Sequence, residues 1–93
     1  PINFAKAVSS NPSNPNILID DLSFILLATE LSSATKTSLK TQILLSGQSS
    51  DYYWTDAWNL SISTPTTINL NIVNTRLKTL LKYLMNLPDY QLQ

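Results

Sequence analysis

One stretch of the sequence has the periodicity of an amphipathic helix, and the rest of the chain is predicted to pack around it. Between residues 70 and 87, seven apolar side chains recur at steps of three and four, which places them on one stripe of an α-helix. Polar side chains occupy the opposite side, and Pro88 ends the run because proline lacks the N–H that a helix needs. The pattern predicts a central helix over 70–87, with an apolar stripe of Leu70, Val73, Leu77, Leu80, Leu81, Leu84 and Leu87.

Two further helices are predicted upstream of it. Residues 1–8 have the pattern of a helix end, and the prolines of 9–15 break the chain after it. Asn16 is the predicted N-cap of a helix over 16–31, and Ser33 of a helix over 33–46, so that the two form an antiparallel hairpin. Gly47 follows the second helix, where a left-handed residue commonly ends one.

The helix over 16–31 has an apolar surface wider than one stripe. Its apolar residues include Leu18, Ile19, Leu22, Phe24, Ile25, Leu26 and Leu27. A surface of this width predicts burial on more than one side, against more chain than these 93 residues supply.

An aromatic segment lies between these helices, in 47–69. It carries four of the eight aromatic residues within seven positions, and Asp51 is predicted to cap a short helix over 51–59. Residues 60–69 alternate in a β-prone way but have no partner strand, which favours an extended loop. In one interpretation Trp54 and Trp58 plug the core, with their N–H groups reaching polar partners. In the other, aromatic faces and a nearby carboxylate hold a sugar ring or a peptide, with candidate contacts Tyr52, Tyr53, Trp54, Asp56 and Trp58.

These elements predict an all-α fold with few or no strands: three main helices and a short aromatic-rich one in a small bundle. The chain is expected to form a single domain over 1–93. Its parts are a lead-in and Ser/Asn/Pro loop (1–15), a helical hairpin (16–46), an aromatic loop region (47–69), and a closing helix with its tail (70–93).

The composition argues against most chemistries. Neither histidine nor cysteine occurs, so the usual general base, the thiolate nucleophile and the commonest metal ligands are missing. Asp20 and Asp21 point about 100° apart on a helix and do not converge, and we expect them to serve the first turn electrostatically. Arg76, Lys78 and Lys82 are predicted to form a solvated face. We therefore expect no catalytic residues, no metal, no cofactor and no enzyme activity.

The charge balance and hydropathy exclude two kinds of partner. Six basic and six acidic residues are spread along the chain, without the basic patch that a nucleic-acid binder needs for phosphate contacts. No apolar run approaches the 18 or so residues of a transmembrane helix.

The C-terminal residues resemble a known family. The sequence from Arg76 through Leu87-Pro88-Asp89-Tyr90-Gln91-Leu92-Gln93 is similar to the ending of the bacterial domain of unknown function 1800 family. That ending is an amphipathic helix followed by a proline–acidic–aromatic–Gln turn. The run from Asp20-Asp21-Leu22 to Leu31-Ser32, then Thr35-Lys36 to Leu39, resembles the paired helices of the same family. The resemblance covers 16–46 and 70–93.

This resemblance implies a mostly helical fold and the C-terminal fragment of a longer, exported bacterial protein, hence a periplasmic or extracellular location. The family has no established activity, so no site residues follow from it. We expect a non-catalytic structural or interaction module that packs against the remainder of its parent chain or another protein. The alternative is a small carbohydrate- or peptide-binding module that uses the aromatic segment.

Overall fold

The computed structural model describes residues 1–87, and every regular element in that range is helical. No strand occurs in this part of the chain, so the predicted all-α fold is confirmed. The predicted tail after Pro88 lies outside the described residues. The elements are α1 (Ile2–Val8), α2 (Pro15–Leu27), α3 (Ser33–Leu39) with a π-helical turn directly after it (Lys40–Leu44), α4 (Tyr52–Ser63) and α5 (Thr67–Met85).

The N-terminal boundary of α2 differs from the predicted one. The side chain of Asn14 accepts hydrogen bonds from the N–H groups of Asn16 (2.9 Å) and Ile17 (3.3 Å), so Asn14 is the N-cap and the predicted cap at Asn16 is wrong. Pro15 then occupies the first helical position, where its missing N–H costs nothing. A proline interpreted as a breaker is therefore part of the helix.

The C-terminal end of α2 also comes earlier than predicted. Ala28 adopts a left-handed conformation with φ of 54°, which ends the helix at Leu27 instead of residue 31. The next helix is capped by Ser32, whose side chain accepts from the N–H of Thr35 at 3.2 Å, one residue before the predicted cap Ser33. After the π-helical turn the chain turns through Gly47, whose φ of +85° confirms the predicted left-handed position.

The predicted hairpin of α2 and α3 is present. Lys36 on α3 pairs with Asp20 on α2 (Nζ–Oδ1 2.8 Å), and this hydrogen bond raises the pKa of Lys36. Four residues later, at the start of the π-helical turn, Lys40 pairs with Asp51 (3.1 Å), which also accepts from Asn16 near the start of α2 (3.0 Å). The two helices therefore run in opposite directions, and α5 packs on both α2 and the π-helical turn.

The core lies along the predicted stripe of α5. Val73, Leu77, Leu80 and Leu84 are buried, and the remaining members of the stripe are partly buried. The helix begins at Thr67, because the side chain of Thr66 caps it by accepting from the N–H of Asn69 at 3.2 Å. The predicted loop over 60–69 is therefore wrong: 60–63 continue α4, and only 64–66 separate α4 from α5.

The lead-in residues form α1, as their pattern predicted. Ala5 is buried, and α1 contacts both α2 and α5. The backbone N–H of Ile2 donates to Oδ1 of Asn74 on α5 at 3.3 Å. The N-terminal helix thus completes one side of the bundle.

Candidate interaction surfaces

The neighbouring carboxylates Asp20 and Asp21 serve two different contacts. Oδ2 of Asp21 accepts from the Ser9 hydroxyl (3.0 Å) and from the N–H of Ser10 (2.8 Å), which ties the end of α1 to α2. Asp20 turns instead to Lys36. Neither lies in the first turn of α2, so the predicted electrostatic role there is wrong, whereas their predicted divergence is observed. Among residues 1–87 no group of three or more acidic, His or Cys side chains could hold a metal ion.

The two tryptophans of α4 lie in the core. Trp54 is 0% exposed and Trp58 5% exposed, with ring centroids 6.0 Å apart. The indole N–H of Trp54 donates to the carbonyl of Pro12 at 2.8 Å. The burial agrees with the interpretation in which the pair plugs the core, and it leaves neither ring an open face on which a sugar could stack.

Trp54 and its neighbour Thr55 together hold the loop between α1 and α2. The Thr55 hydroxyl donates to the carbonyl of Ser13 at 2.7 Å, beside the Trp54–Pro12 bond. We call Trp54 and Thr55 the loop clasp. Asp51 precedes them at the predicted cap position but makes no capping hydrogen bond; its carboxylate contacts Lys40 and Asn16 instead.

The other three predicted contact residues are more accessible. Tyr52 is 61% and Tyr53 46% exposed, and their rings meet edge to face with centroids 5.9 Å apart. The side chain of Asp56 is partly buried and makes no hydrogen bond or ion pair with any described residue. Tyr53 and Asp56 line one groove, which Tyr52 does not line. The structure thus brings together two of the five predicted residues, and their contact with a ligand stays a prediction.

This groove lies between α4 and α5 and has a volume of about 190 Å³. Three of its large apolar side chains (Tyr53, Leu60 and Ile72) are exposed. Two groups of opposite charge, Asp56 and Arg76, line the same groove. We call it the α4–α5 groove; its lining residues are Tyr53, Asp56, Ala57, Leu60, Asn69, Ile72 and Arg76.

The predicted solvated face of α5 is wrong for Arg76, which is partly buried, whereas Lys78 and Lys82 are exposed as predicted. Its Nη1 donates to two backbone carbonyls, of Leu44 at 3.0 Å and of Tyr53 at 3.1 Å. Burial lowers the pKa of its guanidinium, because part of the hydration of the charged form is lost. Arg76 fastens the end of the π-helical turn and the start of α4 to α5. Periodicity places it beside Ile72 on α5, but its acceptors lie on two other segments, so nothing local predicted the contact.

A second exposed apolar surface lies on the outer side of α2. Phe24 is 66% and Ile25 54% exposed, whereas Leu18 and Leu22 on the inner side are fully buried. We call the two exposed residues the Phe24–Ile25 patch. The second buried side predicted for this helix is therefore not covered by the residues that the structure describes.

Comparison with known proteins gives no assignment. No family model matches the chain, and no curated protein or solved structure matches it either. Membership of the family that the C-terminus resembles thus stays a prediction, and the most specific part of that resemblance, 88–93, lies outside the described residues. No helix within 1–87 is long and apolar enough to span a membrane.

Proposed function

We propose that this chain is a non-catalytic helical interaction module, which packs through the Phe24–Ile25 patch against the remainder of a longer parent chain or against a partner protein. The observation that carries the proposal is the exposure of two adjacent large apolar side chains. Burying a Phe or Ile side chain fully contributes about 1.5–3 kcal/mol, so covering what these two still expose is worth roughly 2–3 kcal/mol. Exposed apolar surface of this kind marks interaction sites.

The described side chains give no support to catalysis. Asp20, Asp21 and Asp51 are engaged in contacts that hold the bundle together. Both indoles are buried, and histidine and cysteine are absent from the sequence. Because these carboxylates already stabilise the bundle, the proposed role depends on the exposed apolar surface.

The proposed parent is an exported bacterial protein, with a periplasmic or extracellular location. This part of the proposal depends on the resemblance of 16–46 and 70–93 to the domain of unknown function 1800 family. The gene tests it directly: the sequence should end a longer open reading frame whose product carries an export signal. A 93-residue gene product, established by intact mass spectrometry, would contradict it.

Hydroxyl-radical footprinting tests the interaction surface. Oxidation of Phe24 is compared between the 93-residue chain and the full gene product, with the 48%-exposed Tyr83 of α5 as the internal control. Phe24 should be protected at least about fivefold in the full product, because packing removes it from solvent, while Tyr83 is unchanged. Equal oxidation of Phe24 in both proteins would refute packing against the parent.

The alternative function is a small carbohydrate- or peptide-binding module. The observation that favours it is that Tyr53 and Asp56 share the α4–α5 groove, where an aromatic face and a carboxylate without a partner are accessible together. A panel of glycans and peptides should then produce saturable NMR shifts that Tyr53→Ala abolishes and Tyr52→Ala does not. Shifts that are absent, or equally lost in both variants, would reject this use of the groove.

A further inference from the structure

Two charged groups in the α4–α5 groove have unused hydrogen-bonding capacity. The carboxylate of Asp56 has no partner among residues 1–87, although the side chain is partly buried. Arg76 donates both of its bonds through Nη1, which leaves Nε and Nη2 for another acceptor. The two side chains line the same groove but form no ion pair with each other. Both groups line an accessible groove, where a donor and an acceptor from another molecule can reach them.

Apolar side chains frame these two charges. Tyr53 and Leu60 on α4 and Ile72 on α5 border the groove and are exposed. Ile68 lies one turn before Ile72 on α5 and is the most exposed of the large apolar residues in the described part of the chain. A charged pair surrounded by apolar side chains has the composition of a protein–protein interface. In such an interface the buried apolar area supplies affinity, and the charged groups fix how the two surfaces align.

We infer that the α4–α5 groove is the contact between two copies of this chain related by a two-fold axis, with Asp56 of each copy facing Arg76 of the other. When the two-fold axis passes between Asp56 and Arg76, Asp56 of each copy lies opposite Arg76 of the other, so each charge meets its opposite. Such a self-complementary patch is what a two-fold dimer requires. An acidic or basic partner would satisfy only one of the two groups.

The overall charge also favours a second copy. Six basic and six acidic residues give a net charge of zero, so two copies do not repel one another at long range. A standard interface buries roughly 800 Å² per partner, about a seventh of this protein's 5388 Å². The 12 residues of α4 span only about 18 Å, so the contact lies at the small end of that class and forms a weak, reversible dimer.

Sedimentation equilibrium of variants with a reversed charge at Asp56 or Arg76 tests the inference. The wild-type chain should dimerise between about 10 μM and 1 mM, and Asp56→Arg and Arg76→Asp should each weaken the dimer at least about tenfold, because like charges then face each other twice. An equimolar mixture of the two variants should recover a heterodimer, since both pairs become complementary again. A wild-type chain that stays monomeric at 1 mM, or a mixture that recovers nothing while both variants are folded, would overturn it.

Because Arg76 also holds two backbone carbonyls, its reversal variant is checked by circular dichroism before use. If the Arg76→Asp variant does not fold, two other experiments decide. Asp56→Arg and Leu60→Glu must both weaken the dimer. Raising the salt concentration must weaken the wild-type dimer but not the dimer of Asp56→Asn. Phe24→Ser is the matched control. A dimer lost in Phe24→Ser and kept in Asp56→Arg would move the contact to α2 and refute the inference, as would a monomer that binds a glycan or peptide in the groove. Footprinting of the full gene product tests packing against a parent chain separately.

Discussion

Replacing Trp54 with phenylalanine should destabilise the protein through two separable losses. The first is the hydrogen bond from the indole N–H to the Pro12 carbonyl (2.8 Å), with a net worth of about 1 kcal/mol. The second is the buried volume of the pyrrole ring, about 1–2 kcal/mol, because Trp54 is 0% exposed and its neighbours cannot fill the space completely. The expected total is about 2–3 kcal/mol, which for a chain of this length lowers Tm by roughly 10–20 °C.

Trp58→Phe provides the matched control. Trp58 lies one turn away on the same helix and is 5% exposed, but its indole N–H makes no hydrogen bond with any residue of 1–87. This variant should lose only the packing contribution, about 1–2 kcal/mol. Urea unfolding followed by far-UV circular dichroism gives both free energies, and their difference of about 1 kcal/mol measures the bond to Pro12. Equal losses, or a larger loss for Trp58→Phe, would refute the assignment of the loop clasp.

Three other sets of substitutions can be measured by the same unfolding assay. Asn14→Ala removes the cap of α2 and should cost about 1 kcal/mol, whereas Asn16→Ala should cost less than half as much; the reverse order would contradict the cap assignment. Gly47→Ala should cost about 1 kcal/mol through its φ of +85° alone, since no atom lies within 4 Å of the added methyl group, and Gly47→Asn should cost less. Arg76→Met keeps the apolar stem but leaves two carbonyls without their donor, for an expected loss of about 2–3 kcal/mol; a neutral result would show that water replaces the guanidinium.

The sequence was most informative where apolar periodicity is long. The stripe of α5 predicted its buried positions, because a helix of five turns repeats the pattern often enough to be recognised. The boundaries were less accurate, because single capping side chains decide them. At α2 the pair Asn14-Pro15 is an N-cap followed by a proline at the first position, a local pattern that indicates the true start.

The π-helical turn at Lys40–Leu44 shows what local patterns cannot supply. An α-helix that continued without interruption from Leu39 would place Ile43 and Leu44 on the side that faces the core. In the structure Leu44 and Leu45 are fully buried, while Ile43 is only partly buried, because the wider turn shifts the inward face by one residue. No residue in that segment demands a π-helical turn. The turn packs on α5, a contact that only the folded chain provides.

The residues of the candidate surfaces were also only partly predictable from the sequence. Tyr53 and Asp56 were recognised from the aromatic segment alone. Arg76 was missed because its acceptors, the carbonyls of Leu44 and Tyr53, lie 32 and 23 residues away along the chain. The wide apolar surface of α2 was recognised too, and the structure indicates which part of it, the Phe24–Ile25 patch, stays uncovered within 1–87.

The loop clasp has a consequence for the order of folding. Its two hydrogen bonds each join residues 42 positions apart, so the clasp holds Pro12 and Ser13 of the loop between α1 and α2 only after α4 has docked. Contacts over such a distance require closure of a long stretch of chain and form late. Weakening the clasp should therefore speed unfolding and leave the refolding rate nearly unchanged, which stopped-flow kinetics of Thr55→Val can measure. The contacts of Pro12 and Ser13 with α4 would then be lost early on unfolding and made late on folding.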